Sequence, residues 1–151
     1  MKCLAVICCL ALLFGIVNAG ICREGESTGS IVVTIVEVRA SEGGAIVINL
    51  FDGEEHWLKS EKAFVQMRVP VTADSVTVEL EGLPYGDAYA IQVFHDQNEN
   101  GRFDMRRFPY PRPKEGAGVS NNRLRFGPPD YNKARFELFR PSVALRIRMN
   151  Y

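Results

Sequence analysis

Asp96, Asn98, Asn100, Gly101 and Asp104 stand at the first, third, fifth, sixth and ninth places of a loop pattern that gathers oxygens around a hard cation. Alternate residues of a tight loop turn their side chains inward, glycine permits the sharp bend, and the main-chain carbonyl of Arg102 falls at the seventh place. The ion expected on this donor set is Ca²⁺. The twelfth place holds Arg107 instead of a bidentate Glu, and strands rather than helices flank the segment, so it is not an EF-hand. With two carboxylates the dissociation constant should be on the order of 10⁻⁴ to 10⁻³ M, unless Glu115 or Asp130 adds a third. The alternative is an Asx-rich turn over residues 98–101 with solvated carboxylates, and both readings stay open on sequence grounds. Zinc is disfavoured, because His56 and His95 are the only imidazoles.

Catalytic constellations are thin. His95 next to Asp96, with Ser120 as nucleophile, would be the starting point for a hydrolase acting through this region. In an extended strand His95 and Asp96 point to opposite faces, and no Gly-x-Ser-x-Gly elbow surrounds Ser120. A glycosidase-type carboxylate pair could be drawn from Asp104, Glu115 and Asp130, but their separation is not readable from sequence. No Gly-rich phosphate loop follows a strand pattern, so no organic cofactor is expected.

The stretch from Arg102 to Arg125 carries Arg102, Arg106, Arg107, Arg112, Lys114, Arg123 and Arg125 against Asp104 and Glu115, a local net charge of +5. Arg forks suit carboxylate or phosphate, and Phe108 and Tyr110 offer flat faces among them. Arg106, Arg107, Phe108, Tyr110 and Arg112 are therefore the candidate ligand-binding residues. The expected partner is an acidic envelope polymer or an acidic protein, against the alternative of a solvated basic loop.

The rest of the chain must position these groups. Its 151 residues, 46% hydrophobic, suffice for one domain with a real core, and 18 basic residues against 18 acidic remove the overall charge of a nucleic-acid binder. Lys2 followed by the apolar residues 3–17 and the Val17-Asn18-Ala19 signature reads as a signal peptide over residues 1–19. Export to the periplasm or beyond is expected, with no transmembrane segment after cleavage. Cys3, Cys8 and Cys9 leave with the leader, so only Cys22 stays, in a flexible tail over residues 20–29, and no internal disulfide can form.

From Ser30 onward apolar residues recur at period two, which sends alternate side chains to opposite faces of a sheet. Val76, Val78 and Leu80 alternate with polar neighbours, as do Val143, Leu145, Ile147 and Met149, and each run predicts a strand with one wet face. Residues 31–38, 46–51 and 89–94 are apolar on both sides and predict interior strands. Residues 63–69 and 134–139 complete about seven strands, with a short helix expected over residues 54–59 and turns at Gly43-Gly44 and around Gly82 and Gly86. The pattern predicts an all-β fold, an antiparallel two-layer sandwich of immunoglobulin-like or prealbumin-like kind, with a barrel as the alternative. One long loop, nearly forty residues, separates the fifth strand from the sixth. It is read either as a cover over one end of the sandwich, with Phe103, Phe108, Phe126 and Tyr131 packing down, or as a binding surface.

The motifs FHDQNENGRFD, KEGAGVSNN and FGPPDYNKARFEL resemble a bacterial family of exported domains of unknown function, DUF2141. The segment GLPYGDAYAIQVFHD is similar to that family's GLPPGxYAVAVFHD, and the likeness extends from about Ser30 to the C-terminus, residues 30–151 forming a single domain. Two departures stand out: one extra residue between Pro84 and Tyr89, and residues 105–112, far more basic and proline-rich than the family's usual short apolar link. The resemblance implies a transthyretin-like or prealbumin-like sandwich in a bacterial envelope setting, and no established activity. The expected function is thus an exported, non-catalytic binding or envelope-associated module. A purely structural envelope protein is the alternative, and a hydrolase the least supported.

Overall fold

The computed structural model describes residues 27–122 and 127–151; the expected leader, Cys22, Arg123, Arg125 and Phe126 lie outside the described residues. Two β-sheets face one another. One has the order β10-β1-β4, built from β1 (Thr28–Val36), β4 (Ser75–Pro84) and β10 (Ser142–Arg148). The other has the order β3-β2-β5-β8, built from β2 (Ala45–Phe51), β3 (Val65–Pro70), β5 (Gly86–Asp96) and β8 (Ala117–Val119), with β9 (Phe136–Leu138) pairing β5 at its other end. This is the expected all-β sandwich. β1 begins at Thr28, so the last residues of the segment expected as a tail are already strand.

Alternation fills the space between the sheets. Ile31, Val33 and Ile35 of β1 and Ile46, Ile48 and Leu50 of β2 meet Ile91 and Val93 of β5, and each is at most 1% exposed. Val76 and Leu80 from β4, Ile147 from β10 and Leu138 from β9 complete that core. Burial of such side chains is worth about 1.5–3 kcal/mol each before conformational entropy is subtracted, which explains why the period-two runs are held in register.

Three features differ from the expectation. The β1–β10 pair is parallel, with Val33 opposite Leu145 and Ile35 opposite Ile147, while the neighbouring β1–β4 pair is antiparallel. Such a pairing joins residues more than a hundred positions apart, which local periodicity does not encode. The helix expected over residues 54–59 is instead two short 3-10 turns, Glu54–His56 and Ser60–Lys62. The long loop has structure of its own: β6 (Met105–Arg106), β7 (Arg112–Pro113), β8, and a four-residue helix α1 (Tyr131–Ala134). Among the described residues no helix is long and apolar enough to cross a membrane.

The loop covers the outer face of the second sheet. There Val47, Asn49 and Phe51 of β2 lie opposite Phe94, Gln92 and Ala90 of β5, and all six are buried although they face away from the main core. Phe103 packs on Phe94 with ring centroids 5.6 Å apart, and Trp57 packs edge-on between Phe51 and Tyr131 at 5.3 and 5.7 Å. The Trp57 indole N–H donates to the Pro129 carbonyl at 2.7 Å, which pins the approach to α1. Buried Asn49 donates to Ser60 Oγ at 2.9 Å and accepts from Gln66 at 2.8 Å, so its amide costs little in an otherwise apolar setting.

Candidate functional site

β5 ends at Asp96, and the residues that follow turn back over it. The Asp96 carboxylate is fully buried and accepts from the main-chain N–H of Asn100 at 3.0 Å and of Gly101 at 2.8 Å. Arg68, on the outer face of β3, reaches its Oδ2 at 3.3 Å. Gly101 has φ +74°, the left-handed value for which its place in the pattern calls. Asn98 Oδ1 accepts from the Asn100 N–H at 3.1 Å and Asn100 Oδ1 from the Arg102 N–H at 2.8 Å, two successive Asx turns. Both side-chain amides donate to Asp104, from Asn98 at 2.9 Å and from Asn100 at 3.3 Å to the same oxygen.

Glu115 closes the loop from below. It is 3% exposed, and its two oxygens accept from the main-chain N–H of Gln97 at 3.3 Å and of Asp104 at 3.1 Å. Burial pushes its carboxyl above the usual carboxylate range; the two N–H donors pull the other way, and the charges of Asp104 and Asp96 add to the rise. Asp130 does not join this group, in contrast to the expectation that it could: its side chain caps α1, accepting from the Asn132 N–H at 2.9 Å. Among the described residues no three His, Cys, Asp or Glu side chains are gathered to hold a metal by themselves. A cation here would draw on carboxylate, amide and main-chain oxygens together. Each Asn Oδ1 has a second lone pair beyond the one its Asx turn uses, and an all-oxygen set of this kind suits a hard ion.

From this base rises a two-stranded ribbon. Met105 of β6 lies opposite Pro113 of β7 and Arg106 opposite Arg112, while Lys114 N–H donates to the Asp104 carbonyl at 3.0 Å at the foot. Its apolar side chains stand in solvent: Phe108 is 85% exposed, Tyr110 61% and Met105 47%. Phe108 therefore takes no part in the cover that Phe103 and Tyr131 supply. The Arg112 guanidinium lies 5.9 Å from the Tyr110 ring centroid. Arg106 and Arg107 have no ion pair among the described residues, whereas Lys114 reaches Asp104 at 3.9 Å. The ribbon thus brings together all five candidate ligand-binding residues, and Arg102 stands apart at its entrance.

The triad candidates are not brought together. His95 faces the inner side of β5, fully buried; its Nε2–H donates to the Gly43 carbonyl at 2.6 Å, and its Nδ1 accepts from the Tyr151 hydroxyl at 2.9 Å. A carbonyl can only accept, which fixes the proton on Nε2. Ser120 donates to the Ala134 carbonyl at 2.6 Å and accepts from the Ile91 N–H at 3.0 Å, a clasp between β5 and α1. Arg68 and Tyr151, which complete the surroundings of Asp96 and His95, carry no signal in the sequence, since one sits in an edge strand and the other follows the last strand.

Lineage adds a name to this geometry without adding a mechanism. No curated protein and no solved structure matches the chain. Residues 33–145, spanning both sheets, the Asp96 loop and the ribbon, match a family described as "Uncharacterized protein conserved in bacteria (DUF2141)". The chain belongs to the DUF2141 family.

Proposed function

We propose that the protein is an exported, non-catalytic binding module whose sandwich presents the 105–114 ribbon to an anionic component of the bacterial envelope. One observation carries this reading: Arg106 and Arg112 are directly opposed across a two-stranded ribbon with no acidic residue between positions 105 and 114. Like charges directly opposed in a ladder are destabilising, so the arrangement favours an anion that bridges them. Titration with dextran sulfate at low and at physiological salt tests it. Wild type should bind tightly at low salt and weaken steeply as the Debye length shortens to about 8 Å. Arg106, Arg107 and Arg112 changed together to Ser should lose most of that affinity. Equal binding by the triple variant at every ionic strength would leave the purely structural reading in place.

A second reading attaches to the same scaffold: Ca²⁺ orders the loop from Asp96 to Asp104. What supports it is the position of Glu115, a buried carboxylate beside Asp104 and Asp96, whose mutual repulsion a divalent cation would relieve. Asp96, Asn98, Asn100, Asp104 and Glu115 would supply side-chain oxygens and Arg102 its carbonyl. At about ten times its dissociation constant a ligand of the native state adds about 1.4 kcal/mol. The Tm of wild type should therefore rise in about 10 mM Ca²⁺ relative to chelator, given a weak site of this kind. The rise should vanish in Asp104→Asn, and equal shifts in the two proteins would reduce the loop to a turn.

A further inference from the structure

The ribbon's tip is both basic and oily. Three of the six large hydrophobic side chains that stand exposed among the described residues, Met105, Phe108 and Tyr110, lie on this one element. Four basic residues, Arg106, Arg107, Arg112 and Lys114, lie on the same ten-residue stretch. A soluble polyanion would satisfy the guanidinium groups and leave the Phe108 ring in water. Residues 105–114 also contain no Asn, Gln, Asp or Glu, so apart from the Tyr110 hydroxyl no side chain there can accept from a sugar hydroxyl. The donors fit phosphate oxygens, which only accept.

The main chain points the same way. An N–H group carried out of water without a partner is costly, and Pro109, Pro111 and Pro113 have none to carry. Their fixed φ also stiffens the tip, so little conformational freedom is lost when it is immobilised. Aromatic rings favour the level of the headgroups in a bilayer, with their polar ends toward water, and Arg stems reach from there to the phosphates.

We propose that the 105–114 ribbon is a membrane-surface anchor: Phe108 and Tyr110 enter the interfacial layer of a bilayer carrying anionic headgroups, while Arg106, Arg107 and Arg112 engage the lipid phosphates. The inference rests on the anionic reading given above and names the partner as a lipid surface. The acidic loop and Glu115 hold the ribbon's base, so the anchor is presented by the rigid end of β5.

Co-sedimentation of the purified protein with vesicles tests it, comparing equal parts phosphatidylglycerol and phosphatidylcholine with phosphatidylcholine alone. Wild type should pellet with the anionic vesicles only. Phe108→Ser with Tyr110→Ser should reduce partitioning about tenfold or more, since burial of one large apolar side chain already exceeds that factor. The same double variant keeps Arg106, Arg107 and Arg112, so its affinity for dextran sulfate should fall far less than its partitioning into vesicles, and both positions are exposed, so the fold should be untouched. Phe108→Trp should show a blue shift in emission on anionic vesicles and none on dextran sulfate. If wild type binds dextran sulfate but not vesicles, or if the aromatic double variant pellets as well as wild type, the membrane inference is overturned and the anionic reading stands. If the triple Arg→Ser variant binds both probes like wild type, both fall.

Discussion

Glu115 is held in place by two main-chain N–H groups yet penalised by burial and by its acidic neighbours, and the balance leaves its carboxyl above the ordinary range. A raised folded-state pKa means that the folded protein binds the proton more tightly than the unfolded chain does. Its contribution to stability is therefore fully present below the ordinary value of 4.5 and is lost as pH rises through the raised one. In the absence of divalent cations, the stability of wild type relative to Glu115→Gln should be greatest in acid and fall toward neutrality. Denaturant midpoints of the two proteins across that window test this; a flat difference would mean that the N–H donors cancel burial, and a difference that grows with pH that they outweigh it. At the residue scale the sequence was legible where spacing is local: Asp96, Asn98, Asn100, Gly101 and Asp104 do form one loop. Glu115 could be named only as an optional donor, and Arg68 not at all, because a partner brought in from two strands away or by a loop's return leaves no mark in the local pattern.

The elements around that loop explain how it is aimed. Gly44, just before β2, has φ +77°, and a Cβ there would lie 2.4 Å from the Asp96 carbonyl oxygen, so the end of β5 and the entry to β2 are in direct main-chain contact. Gly43 also has positive φ, at +65°, but a Cβ on it would meet nothing within 4 Å. Gly43→Ala should cost backbone strain alone, about 1–3 kcal/mol, because φ +65° with ψ −149° is a conformation that essentially only glycine adopts, and Gly44→Ala should cost its own positive φ plus the displacement of the Asp96 carbonyl. Urea midpoints for the pair should separate accordingly; equal losses would show that the two strands do not need this approach. Period-two patterning made β4 and β10 readable to within a few residues, runs apolar on both sides did the same for β1, β2 and β5, and the turn at Gly43-Gly44 was readable with them. It could not show β8, where Ala117, Gly118 and Val119 do not alternate in polarity and all are buried. Nor could it show the ribbon, whose two strands of two residues are set by the pairing across a proline-rich turn.

On the scale of the whole molecule the charge is nearly balanced but unevenly placed. Removing residues 1–19 takes Lys2 from the 18 basic residues and no acidic one, leaving 17 against 18. Four of those 17 sit on the ribbon with no acidic residue between them, so the remainder carries 13 basic against 18 acidic. A molecule so divided turns its ribbon toward an anionic surface while the rest is repelled from it, and this orients the approach without raising overall charge. Such a device is useful only if the protein reaches that surface, and the apolar run behind Lys2 is the segment expected to direct it there. Residues 3–17 fall short of the roughly 20 needed to span a bilayer, and Val17 and Ala19 supply the small residues of a cleavage signature. We therefore expect the protein of the envelope fraction to begin at Gly20 by intact mass, with Cys22 as its one cysteine. Vesicle binding by that cleaved form would have to come from the ribbon, since the apolar leader would be gone. Recovery of the full-length chain from the cytoplasm would remove the export step, and with it the reason for an envelope-facing anchor.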